Sequence, residues 1–429
     1  MDLKEDFEFA VAATTNISFD PETSTLDQIN IFETTIRHLG GLLSAYDLPG
    51  CKDGRLLDKA VQLGDMIYLT FDTKDHMPVT RWDPRLAAKG DEQGAADHAV
   101  IAELASSSLE MTRLSQLTGD MRYFDVVQRI TNLMESQQNS TKLPGMWGVG
   151  INLQTLDLTQ DDVFSLGAMS DSAYEYIPKM FQLLGGIGQA SQYEKIYKFV
   201  AETIIQHILF RPMVPDEADI LFSGIGHAED PANPSTEPQC QHLTCFVGGM
   251  LSLGGRLFQN STHVEFGRKV TEGCVWAYRN SPLGIMPEFF HMMKCPSKST
   301  CPWDELRWIS ERQYDTTPRG FASIEDTRYI LRPEAIESVF YLYRITGEER
   351  WRDYAWDMFT SIEHYTKTEL ANAALEDVTK SPPSQMDSME SFWMAETLKY
   401  LYLIFSEPNL ISLDDYVFNT EAHPFRRPQ

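Results

Sequence analysis

The chain has 429 residues, 42% of them hydrophobic, which is enough apolar material for a substantial core and argues against disorder. Its formal charge of -26, from 62 acidic against 36 basic residues, excludes nucleic acid and anionic membrane as expected partners, because binding phosphate requires a surplus of Lys and Arg. The balance fits a protein that acts on something neutral or holds cations.

The opening stretch MDLKEDFEFAVAATT has no signal-peptide pattern, and no apolar run approaches the roughly 18 to 20 residues that span a bilayer. Helical periodicity then dominates, and the helices come in pairs. IFETTIRHLGGLLSAY is followed by GRLLDKAVQLGDMIYLTF, and VIAELASSSLEMTRLSQLTGD by MRYFDVVQRITNLMES. SAYEYIPKMFQLLGG precedes SQYEKIYKFVAETII, HLTCFVGGMLSLGGRLF precedes HVEFGRKVTEGCVWAY, and PEAIESVFYLYRITGE precedes ERWRDYAWDMFTSIEHY. The turns LSQLTGDMRYFDVV and LYRITGEERWRDYA resemble each other, as expected of a helical-hairpin array. The long irregular segments, 72–97, 138–170, 211–241 and 279–331, separate the pairs and are expected to hold short β-hairpins. Short turns within pairs and long loops between them predict an all-α single domain over 1–429, an (α/α) barrel of inner and outer helices.

Six cysteines in so long a chain are no disulfide scaffold, although Cys295 and Cys301 flank a short loop that one bridge could close. Three sequons, at Asn16, Asn139 and Asn260, fit a glycosylating, oxidising compartment.

Several acids fall on apolar or aromatic helical neighbourhoods. Glu334 and Glu337 open the helix after Pro333, which is expected at the first helical position. Acids in a first turn also favour the helix dipole, by about 0.3 to 1 kcal/mol. Glu33 and Arg37 stand at i and i+4, the spacing of an ordinary surface salt bridge. Asp171 and Glu175 are one turn apart beside Tyr174 and Tyr176, where Asp171 could equally be a cap. Glu396 shares a stripe with Phe392 and Leu403 in a helix apolar almost all round, where an unpaired acid is costly. Inner helices of a barrel share one lumen, so these acids can converge. Converging carboxylates serve acid/base chemistry, hold a hard cation or bind sugar hydroxyls.

Taken in order, FETTIRHLGGLLSAY, LTGDMRYFDVV, SDSAYEYIPK, QHLTCFVGGMLSLGG, LRPEAIESVFYLYRITG, MESFWMAETLKYLYLIFS and ISLDDYVFNTEAHP resemble glycoside hydrolase family 47, the class I α-1,2-mannosidases, from about Ile31 to Pro424. The resemblance implies an (α/α)7 barrel, one bound Ca²⁺ and inverting removal of α-1,2-linked mannose from high-mannose N-glycans. It implies Glu33 as general acid, Asp171 as a second catalytic carboxylate and Glu334 as general base. Inversion needs acid and base roughly 6.5 to 9.5 Å apart to admit water. Thr420 matches the calcium ligand, with Glu337, Glu390, Glu396 and Glu421 around it or on the sugar; Arg37, Arg332 and Phe392 match the mannose pocket, and His242 the substrate region. Cys245 and Cys274 match the family's disulfide; Cys51 and Cys240 have no evident partner. The family carries further helix before the first motif, so the chain is expected to begin inside the second helix, with the signal or anchor of an ER/Golgi-lumenal or secreted parent upstream. A monomer is expected. Met169 and Gln241 stand where single-cut endoplasmic reticulum enzymes carry Arg and Asp, which resembles the fungal and Golgi-type branch. The alternative reading is a non-catalytic glycan-binding quality-control factor on the same fold.

Overall fold

The computed structural model describes residues 3–428. Six helical runs among the described residues form the inner layer, 31–47, 101–118, Asp171–Leu183, 242–257, Glu334–Thr346 and 393–404, and all but 101–118 contribute side chains to one lumen. The first five each turn sharply into an outer helix, in order Gly54–Leu69, Arg122–Gln137, 190–208, Ser261–Asn280 and Arg350–Thr366. Lys4–Thr15 is a further outer helix, packed on Gly54–Leu69.

Burial separates the two layers. Phe246–Leu257 is buried from Phe246 through Gly255 on all sides, as an inner helix must be. Arg350–Thr366 buries one stripe, Trp351, Ala355, Met358, Ile362 and Thr366, and exposes the rest, as an outer helix does. The likeness between the LTGD and ITGE turns has a backbone cause. Gly119 and Gly347 end their inner helices in left-handed conformation, φ 76° and 69°, which costs a glycine least and reverses the chain within a few residues.

All the short turns therefore lie at one end of the barrel. The long segments lie at the other, where the inner helices begin, and together with the C-terminal hairpin they carry the six small antiparallel sheets of the described residues. In the sheet of Gln239–Gln241, Phe289–Met292 and Phe321–Asp326, Gln241 pairs with Phe289 and Phe289 with Asp326. That register brings His242, Glu288 and the 327–332 segment together at the lumen mouth. The C-terminal hairpin, Tyr416–Phe418 with Pro424–Arg426, packs on helices 31–47 and Asp171–Leu183 and presents its turn to the lumen.

Two local expectations shift. Pro333 caps the fifth inner helix at φ −95° and the helix starts at Glu334, one residue later than expected. Asp171 is the first helical residue, preceded by Ser170 in the cap. Cys245 and Cys274 are bridged, and so are Cys295 and Cys301, while Cys51 and Cys240 are free.

Candidate active site

The lumen mouth is a cleft of about 720 Å³, open to solvent and lined by Glu33, Arg37, Asp171, Glu175, Arg332, Glu334, Glu337, Phe392, Glu396, Thr420 and Glu421, with Phe32, Ile36, Ser172, Leu243 and Phe246 between them. Five inner helices and the C-terminal hairpin contribute. Because the inner helices start here, their positive ends point at the carboxylates, which favours ionised acids. Two of the helices are locally π-wound, over Thr34–Leu39 and Trp393–Thr397. The extra residue per turn changes where side chains point, and Arg37 and Glu396 lie in these turns.

Of the residues expected from the sequence, only His242 and Glu390 are outside the lining. His242 is fully buried behind Glu334, with Nδ1 3.1 Å from Glu334 Oε2 and Nε2 2.9 Å from the Tyr278 hydroxyl. Glu390 is exposed, before the last inner helix, and does not join the acids around Thr420, contrary to expectation.

The carboxylates meet two different environments. Burial pushes Glu334 upward, but its hydrogen bond with His242 and the charge of Arg332, whose Nη1 is 3.6 Å away, outweigh it and hold the carboxyl below its ordinary range. Arg332 is itself oriented by a hydrogen bond to buried Glu288 and lies over the Phe392 ring. Asp171 is pushed up to about 7 by burial, opposed by the Ser172 N–H and reinforced by Glu175 and Glu334. Burial takes Glu337 to about 8, opposed by Lys179 at 3.5 Å and reinforced by Glu175. Glu421 rises to about 7 through burial, which Arg37 opposes, and Glu396 rises well above its usual range through burial and the nearness of Glu421. Arg37 bridges Glu33 at 2.6 Å and Glu421 at 2.7 Å.

Thr420 sits in a turn built by its neighbour. Asn419 donates to Ile36 O at 2.9 Å and to Glu110 at 2.8 Å, and its Oδ1 accepts from the N–H groups of Glu421 and His423. Every polar atom of that buried amide is used, tying hairpin to barrel. Gly40 makes the approach possible, since a Cβ there would stand 2.6 Å from Asn419 Nδ2. The Thr420 hydroxyl makes no hydrogen bond among the described residues, although its N–H donates to Tyr176 at 3.3 Å.

A divalent cation is the group the family resemblance implies. Among the described residues no three His, Cys, Asp or Glu side chains stand at ligating positions. The expected protein ligand, however, is Thr420 alone, with waters and sugar completing the shell. Acids raised by burial and by their neighbouring carboxylates, an uncommitted Thr420 hydroxyl, and more carboxylates than cations in one cleft fit such an ion.

Sequence reasoning missed Glu110, Glu288, Lys179 and Tyr278. Lys179, buried and bonded to Glu175, carries a visible signal, a cation inside the apolar run YIPKMFQLL. Glu288, between a proline and two phenylalanines in MPEFF, carries another.

The glycosyl hydrolase family 47 profile matches residues 1–427. The chain is 34% identical to the human endoplasmic reticulum mannosyl-oligosaccharide 1,2-alpha-mannosidase over 92% of its length, but spans only 52% of that protein. It is 33% identical to the probable mannosyl-oligosaccharide alpha-1,2-mannosidase 1B of Aspergillus niger, covering 94% of this chain and 77% of that one. Among solved structures, the alpha-1,2-mannosidase from Trichoderma reesei superposes with a TM-score of 0.86 at 30% identity, over 99% of this chain and 88% of that one. That superposition extends through the cleft and its acid-bearing helices, and with the full-length profile match it establishes that the chain belongs to glycosyl hydrolase family 47.

Proposed function

We propose that the chain is an inverting exo-α-1,2-mannosidase that trims terminal mannose from high-mannose N-glycans in the secretory pathway and uses a bound Ca²⁺. The observation that carries this reading is the convergence, in one cleft, of ten residues drawn from five separated motifs: Glu33, Arg37, Asp171, Arg332, Glu334, Glu337, Phe392, Glu396, Thr420 and Glu421. The names of the relatives support the substrate class.

In this reading Glu334 is the general base. Held ionised by His242 and Arg332, it can take a proton from water. Glu33, at the mouth and paired with Arg37, is the general acid for the leaving oxygen. Asp171, near 7, holds a proton over part of the neutral range and supports proton delivery in the cleft. Phe392 gives a face for the sugar ring, and Arg37 and Arg332 give donors to its hydroxyls. Thr420 is the residue that would hold Ca²⁺, with Glu337, Glu396 and Glu421 around it; the ion supplies positive charge that draws those acids into their ionised forms.

Met169, 56% exposed beside Asp171, and Gln241, whose Oε1 accepts the Ala168 N–H at 3.1 Å, leave the rim without the Arg and Asp of the single-cut endoplasmic reticulum enzymes. This favours removal of more than one mannose. Digestion of a nine-mannose glycan that stops after a single cut would refute that part. For the activity itself, α-1,2-linked mannobiose is the test substrate. Cleavage is expected, with loss on chelation and on Glu334→Gln; activity surviving both overturns the mechanism, and tight glycan binding without turnover favours the binding-factor reading.

A further inference from the structure

We infer that Tyr278 is a positioning residue for the reaction: it donates to Nε2 of a neutral His242 and thereby holds the His242 Nδ1–H on Glu334. This rests on Glu334 being the base proposed above, but its geometry stands in the resting protein.

An ionised carboxylate only accepts hydrogen bonds, so the 3.1 Å contact with Glu334 requires the proton on His242 Nδ1. Nε2 is then either an acceptor or the second N–H of an imidazolium. The ring is fully buried, and Arg332 already supplies the cation beside Glu334. A second buried cation there is the costlier arrangement. The neutral ring needs a donor at Nε2, and the Tyr278 hydroxyl is 2.9 Å away. Behind it, the Tyr329 hydroxyl lies beside Tyr278 and donates to the Arg332 carbonyl at 3.4 Å. With Tyr278 donating to Nε2 and Tyr329 to the Arg332 carbonyl, each hydroxyl proton has an acceptor. The rings of Tyr278 and Tyr329 also pack on the imidazole, with centroids 5.6 and 5.8 Å away.

The covalent frame matches this assignment. His242 and Cys245 belong to one turn, Tyr278 and Cys274 to one turn of the outer helix, and Cys245 is bridged to Cys274. The disulfide therefore fixes the spacing of the two elements that carry the two ends of the His242–Tyr278 bond. Glu334 also faces Arg332 beside it, Glu337 on its own helix, and Asp171, Glu396 and Glu421 from the elements around it. None of these is altered by changing Tyr278.

The test uses the full chain. With ¹⁵N-labelled histidine, and His242 assigned by its loss in His242→Asn, the resting protein at neutral pH should show Nδ1 protonated and Nε2 unprotonated. A protonated Nε2 overturns the proposal. On α-1,2-mannobiose, Tyr278→Phe should lower kcat by about 5- to 30-fold, less than the roughly 10²- to 10⁴-fold of losing the base itself, and leave KM within about twofold. Losing the donor weakens the bond that keeps Glu334 ionised, so the acid limb of kcat/KM should move to higher pH. In a His242→Asn background Tyr278→Phe should add nothing; additive losses mean that Tyr278 acts elsewhere and refute the relay. A parent protein inactive on mannobiose counts against the proposed function, while the tautomer still decides the relay.

Discussion

Glu334 and Glu337 are one helical turn apart, Glu337 buried and Glu334 12% exposed, yet their surroundings drive them in opposite directions. Glu334 meets His242 and Arg332 and is held low; Glu337 meets Glu175 and the acids near Thr420, and rises to about 8 despite Lys179. The difference teaches that burial alone does not set the role of a carboxyl in this cleft. What the protein places beside it does, and one acid has a complete set of donors while the others await positive charge.

The comparison can be broken at its strong end first. Glu334→Gln should lower kcat by about 10²- to 10⁴-fold, the range for a general base, with thermal stability kept. Glu337→Gln should instead leave the metal-free protein at least as stable at neutral pH, since the amide resembles the protonated acid, and weaken Ca²⁺ binding measured by calorimetry. Equal effects of the two substitutions would erase the distinction.

Lys179 is a buried amine in the acid cluster, bonded to Glu175 and 3.5 Å from Glu337. Lys179→Met removes the partner of buried charge and should cost about 3 to 5 kcal/mol in denaturant unfolding. Asn419→Ala leaves buried donors and acceptors unpaired and should cost about 1 to 3 kcal/mol, with a weaker Ca²⁺ affinity because the Thr420 turn loosens.

The smallest expected effect is a pH slope. Asp171 at about 7 and Glu337 at about 8 bind protons more tightly in the folded chain than when unfolded. The folded state then holds more protons between the ordinary carboxylate range and pH 8, so these groups make stability fall as pH rises through that window. Melting temperature of the chelated protein should decline from pH 6 to pH 8.5, and saturating Ca²⁺ should flatten the decline. A slope of the same size with and without the ion contradicts the cation-deficient cluster.

Much of this was legible in the sequence because it is written in local pattern. Apolar stripes gave the pairs, the LTGD and ITGE stretches gave the repeated turns, and acids on apolar or aromatic faces singled out Glu33, Asp171, Glu175, Glu334, Glu337 and Glu396, while the places of Arg37, Arg332, Phe392, Thr420 and Glu421 rest on the family resemblance. The residues that were missed act across long separations. Glu288 reaches Arg332, Glu110 reaches Asn419, and Tyr278 reaches His242 only once helices and sheet are stacked. The π-wound turns that carry Arg37 and Glu396 have no pattern of their own, since they keep the helical period almost unchanged. Pro333 was misplaced by one residue because a proline is tolerated both in the cap and in the first turn. Cys245 and Cys274 paired as the family resemblance implied.

The central claim is that Glu334 activates water for direct displacement at the sugar. Following the first turnovers on α-1,2-linked mannobiose by ¹H NMR, before mutarotation, reads this from the configuration of the released mannose. The account predicts β-mannose as the first product; α-mannose would contradict it.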